Sequence, residues 1–175
     1  SLVGEDHPDR RLSVLAYVNY ADAPERVRPA ENVAVCFAPF RRCLTHPMRP
    51  DVDCERMNAA YAREFERWRE VTGGDLYAFS YLTQIHRMSL PRPIHRMIAE
   101  NQRWLVDAGC DGFTAEFVPD EWGAFGANAH LLARLAWEPY LDGGGWLAEH
   151  EGALYGPAAE RISAYRRLLA ETLGE

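Results

Sequence analysis

Lysine is missing from this chain: all 19 basic residues are arginine. That absence excludes Schiff-base chemistry and any phosphate loop that depends on a lysine. Cysteine is sparse. The four present, Cys36, Cys43, Cys54 and Cys110, form no C-x-x-C pair, so a structural zinc site is not expected. Cys36 and Cys110 lie in apolar runs, and four free thiols are the expectation. No stretch approaches the roughly 18 apolar residues of a membrane span. No basic segment followed by an apolar one marks a signal peptide. Positive charge is also short: 19 basic residues against 26 acidic ones give a net charge of −7. That balance argues against nucleic acid or an anionic membrane surface as a partner.

What is there fits a globular chain with one core: 175 residues, 47% hydrophobic and 26% charged. The length falls short of two full domains, and of a complete (β/α)₈ barrel at about 200 residues or more. Four short apolar runs carry the β-branched and aromatic content of strands: 12–19, 32–39, 75–82 and 112–117. They are nearly continuous rather than alternating, as when both sheet faces are covered. Between them lie helical patterns. In 53–71, Met57, Ala60, Tyr61, Phe65 and Trp68 form one apolar stripe, with Gly73-Gly74 as the stop. Others run over 93–108 and, unusually apolar, 125–137. Two more occupy 146–173, parted by Gly156-Pro157, with Gly143–Gly145 read as a hinge before them. Strands alternating with helices predict a parallel α/β sheet with right-handed crossovers.

In such folds ligands meet the C-terminal ends of the strands. Tyr17 and Asn19 follow the first run, Cys43 and His46 the second, Tyr81 and His86 the third. Glu116 ends the fourth, followed by Asp120, Glu121 and Trp122. Aromatic rings, amides, imidazoles and a carboxylate at one rim suit a polyhydroxylated ligand. Glu116 is the sharpest candidate. Its carboxylate is costly inside a strand unless it faces the open end, and partial desolvation would equip it as a general acid. An ion pair with an arginine is the plain alternative. His46 and His86 fit ligand binding, backbone bracing or metal ligation. His95, His130 and His150 read as packing or surface residues on helices.

The order of several motifs resembles a family described as a domain of unknown function on glycoside-hydrolase-like TIM barrels, relatives of α-glucuronidase and hexosaminidase barrels. The matching marks are Leu15-Ala16-Tyr17 before a Pro-rich loop and Cys43-Leu44-Thr45-His46-Pro47-Met48. They continue with Trp68, 76–86, 112–116, Leu135-Ala136-Trp137-Glu138-Pro139 and Tyr155-Gly156-Pro157-Ala158-Ala159. The resemblance implies a four-stranded β/α half barrel over 1–142, the C-terminal part of a TIM barrel, with helices over 143–175 packed on the same domain. It implies Ser1 as a cut end, and a carbohydrate ligand. It also implies either a missing N-terminal half or self-association, because a half barrel leaves open strand edges. Hexosaminidase-like barrels carry an Asp-Glu pair at a strand end. Here no such pair follows a strand directly, so substrate-assisted catalysis is not carried over.

Three functions follow as expectations. The first is part of a glycoside-hydrolase-like enzyme with Glu116 as acid/base and Tyr17, Asn19, His46, Tyr81, His86 and Trp122 binding substrate. Glycosidases need two carboxylates, so the chain by itself is expected to show little turnover. The second is a non-catalytic carbohydrate-binding barrel. The third is a metal-dependent hydrolase using His46, His86 and Glu116. The first two need no cofactor or metal.

Overall fold

The computed structural model describes residues 2–54, 57–82, 91–116 and 122–173. Four strands, β1 (Leu12–Tyr17), β2 (Val33–Ala38), β3 (Leu76–Tyr81) and β4 (Gly112–Glu116), form one parallel sheet in the order β1-β2-β3-β4. Leu12 stands opposite Val33 in the first pair and Val35 opposite Leu76 in the second. Among the described residues six α-helices accompany them: α1 (Leu2–Asp6), α2 (Asn58–Val71), α3 (His95–Asp107), α4 (Trp122–Trp137), α5 (Gly143–Tyr155) and α6 (Ala159–Leu173). The expected α/β class with four parallel strands is present. Among the described residues the sheet is open, with β1 and β4 at its edges, and is not closed into a barrel.

Coverage differs from strand to strand. β2 is buried along nearly its whole length, whereas four of the six β1 residues are exposed. β3, also interior, alternates buried with half-buried residues, so the expected cover on both faces holds along β2.

The chain divides into two compact units: Ser1–Arg42, Met48–Ser80 and Trp104–Ala115 in the first, and Cys43–Pro47, Tyr81–Arg103 and Glu116–Glu175 in the second. In the first, α2 lays Tyr61, Ala62, Phe65 and Trp68 against Val35, Phe37, Leu76 and Ala78 of the sheet. Phe37 and Phe65 meet edge to face at 5.9 Å, and Phe65 meets Trp104 of α3 at 5.7 Å. The Trp68 indole N–H donates to the Ala21 carbonyl at 2.7 Å, so its one polar atom is satisfied inside the core.

Gly73-Gly74 does not act as a left-handed helix stop. α2 ends on Thr72 in extended backbone, whose N–H bonds the Trp68 carbonyl. Gly74 is instead required because a Cβ there would run into the Val33 carbonyl oxygen and lie 3.0 Å from that of Glu31.

Ion pairs pin the N-terminal ends of the strands. Asp111, just before β4, accepts the Leu76 N–H at 2.8 Å and an Arg69 N–H at 2.9 Å. Asp75, just before β3, accepts from Arg11 at 2.6 Å. The same Arg69 also donates to the Gly74 and Gly109 carbonyls, tying the end of α2 to two strand starts.

In the second unit α4 buries a broad face that includes Phe125, Asn128, Leu131, Leu132 and Leu135. The Asn128 amide donates to the Arg92 carbonyl at 2.7 Å. Gly143–Gly145 forms the first turn of α5 rather than a hinge. Asp142 is its N-cap, accepting the Gly144 N–H at 3.1 Å, and a capped first turn tolerates glycines that a helix interior resists. α5 and α6 are joined by buried Glu151, which pairs with Arg166 at 3.0 Å and accepts from Ser163.

Candidate functional site

The strand ends are built differently. Tyr17 closes β1, partly buried, its ring edge-on to Phe40 at 5.5 Å. The chain then turns sharply through Val18–Tyr20, a single 3₁₀ turn that presents Asn19 to solvent. Val18 has φ of 48°, in the left-handed region that a β-branched residue strongly disfavours. Strain of this kind concentrates where a fold aims side chains for use.

After β2 the loop carries a compact polar cluster. The Cys43 sulfur lies 2.9 Å from the Thr45 hydroxyl and 3.3 Å from His46 Nδ1, and accepts the Thr45 N–H at 3.4 Å. Partial burial pushes this thiol up, but the hydrogen bonds from Thr45 and His46 outweigh it and bring it down to about 6. Cys43 therefore stands largely as thiolate at neutral pH, the nucleophilic and metal-binding form. By contrast, burial pushes the Cys36 and Cys110 thiols up. None of the four cysteines is in a disulfide.

Tyr81 is the last residue of β3 and partly buried. Glu116 is the last residue of β4 and exposed; its carbonyl accepts the Leu82 N–H at 3.2 Å. The described surroundings therefore do not supply the desolvation expected of a buried general acid. They do leave the carboxylate free to meet a ligand from solvent. Tyr81 and Glu116 are the last residues of their strands, and His46 follows the end of β2 by eight residues of chain. His86, Asp120 and Glu121 lie outside the described residues.

Trp122 opens α4. Its indole lies over Gly126, where a Cβ would come within 2.9 Å of it, and meets His130 edge-on at 5.1 Å. His130 in turn faces His150 at 5.0 Å, and His150 stacks on Trp146 at 4.8 Å. Trp122 thus starts an aromatic row on the helices, still half exposed, rather than standing in a strand-end loop. Of the two histidines in that row, expected as packing or surface residues, His130 is exposed and His150 half-buried.

His95, expected as a packing or surface residue, is half-buried at the start of α3. It lines a cleft bounded by α3, α5 and α6, and burial, with lesser help from Arg166 and His150, holds its imidazole down to about 4.

The model of a family described as a domain of unknown function (DUF4838) matches residues 1–167. No curated protein and no solved structure matches the chain. With all but its last eight residues inside that match, the chain belongs to the DUF4838 family.

Proposed function

We propose that the chain is part of a carbohydrate-active, glycoside-hydrolase-like protein, binding its ligand at the C-terminal edge of the sheet with Glu116 as the acid/base group. One observation carries this reading: Glu116 ends a strand of a parallel sheet with its carboxylate exposed at the end where such sheets take ligands. Tyr81 supplies a ring for the apolar face of a sugar and His46 a hydrogen-bonding imidazole, each after a neighbouring strand. In this reading the four strands are half of a barrel, and the second catalytic carboxylate belongs to the other half.

The exposure of Glu116 favours a second reading, a barrel that binds carbohydrate without cleaving it. Calorimetric titration of the chain with a panel of oligosaccharides tests the binding that both readings share, and aryl-glycoside assays test for turnover. Binding that weakens about tenfold in Tyr81→Ala and His46→Ala, with no turnover, is the expected result for the chain by itself. Turnover lost in Glu116→Gln establishes catalysis. Absence of binding to every glycan sinks both readings.

A further inference from the structure

The cleft beside His95 has a volume of about 560 Å³, within the range of small-molecule sites. Every residue lining it belongs to the second unit. Its walls are largely aliphatic, with Ala99, Leu141, Leu147, Ala148 and Ala170. Four arginines line it too. Two are committed: Arg96 to Glu100 at 2.7 Å, and Arg166 to Glu151 at 3.0 Å. Arg103 and Arg167 are exposed and, among the described residues, make no ion pair or hydrogen bond. The remaining carboxylate, Asp142, caps α5. Four guanidinium groups against three carboxylates leave one positive charge in excess. His95 adds a polar atom without adding charge: its Nε2 is buried and has no hydrogen-bond partner among the described residues.

We infer that this cleft binds a small organic monocarboxylate with an apolar body. The aliphatic walls take the body. Arg103 and Arg167 take the carboxylate, whose planar pair of oxygens matches a guanidinium fork. His95 Nε2 meets a polar group on the ligand, completing a buried atom that is otherwise orphaned. A dianion fits less well, because the excess charge is single and Asp142 and Glu100 also face the cleft. The inference is independent of the carbohydrate reading, which concerns the strand ends.

The test is calorimetric titration of the whole chain with 4-phenylbutyrate, 4-phenylbutanol and phenyl phosphate. The acid is expected to bind at least tenfold tighter than the alcohol and tighter than the phosphate. Arg103→Gln/Arg167→Gln is expected to lose at least tenfold for the acid only, with circular dichroism and thermal midpoint unchanged. Ala148→Trp, placed on an exposed wall, is expected to block acid and alcohol alike. Equal binding of acid and alcohol, an unaffected double variant, preference for the phosphate, or no binding of the acid would each overturn the inference. If the double variant loses its fold, Ala148→Trp still decides it, since unchanged acid binding there places the ligand elsewhere.

Discussion

At the scale of single residues, the Cys43 loop sets the sharpest expectation. A thiol brought down to about 6 reacts through its thiolate. Alkylation of Cys43 by iodoacetamide, followed by peptide mass spectrometry, should therefore rise through pH 6 and level off above about 7. Thr45→Ala removes a hydroxyl 2.9 Å from the sulfur and should move that midpoint upward. Cys36 and Cys110, pushed up by burial, should stay largely unmodified. A Cys43 profile that rises only above pH 8 would refute the cluster's role. The sequence placed Cys43 three residues before His46. Spacing in a loop, however, does not say whether a sulfur and an imidazole face each other. The turn that brings both to Thr45 is a property of the folded loop.

At the scale of elements, much was legible. All four apolar runs are strands, and each boundary falls within two residues of the expected one. Strand identity comes from local composition, which sequence carries directly. The glycine-rich segments were less legible because glycine serves several backbone needs. Gly143–Gly145 looks like a joint until Asp142 is recognised as a cap, and Gly74 looks like a helix stop until β2 is seen against it. The close approach predicts that Gly74→Ala costs about 1–3 kcal/mol, the usual range for overpacking. Gly73→Ala, whose Cβ would meet only the flexible Glu31 side chain at 3.6 Å, should be close to neutral. Urea unfolding of the two variants side by side checks this, and equal losses would remove the packing explanation. α2 begins at Asn58 rather than near Asp53, because Met57 already has non-helical backbone.

At the scale of the whole molecule, two behaviours follow. His95 is held down to about 4, chiefly by burial, against an ordinary value of 6.5. The unfolded chain therefore takes up this proton first as the pH falls. Stability is full above 6.5 and declines through the window toward 4, by on the order of 2 kcal/mol between pH 7 and 5. Denaturant titrations at those two pH values should give that difference, and His95→Phe should reduce it; an unchanged slope in the variant would dissociate the effect from His95. The second behaviour concerns β1. It is an edge strand whose Leu12, Val14 and Leu15 are 40%, 44% and 44% exposed, an apolar rim of the kind that recruits another strand. Sedimentation should find self-association that Val14→Lys abolishes, whereas a concentration-independent monomer would count against the half-barrel reading. The cleft beside His95 was illegible for a related reason. It exists only where three helices meet, and no local pattern encodes that meeting.

The sheet's two ends also differ in how much sequence change they can absorb. At the N-terminal end, Arg69, Asp111, Asp75 and Arg11 each hold a backbone or a partner in place, and Gly74 leaves no room for a side chain. Beyond the C-terminal ends of the strands in the chain, Asn19 and His46 are exposed, as is Glu116, the last residue of β4. Diversity introduced around 18–20 and 45–46 therefore leaves the strand register untouched, whereas diversity at 73–75 or 109–111 attacks it. The fold offers a surface that selection is free to rewrite, anchored by one that it is not.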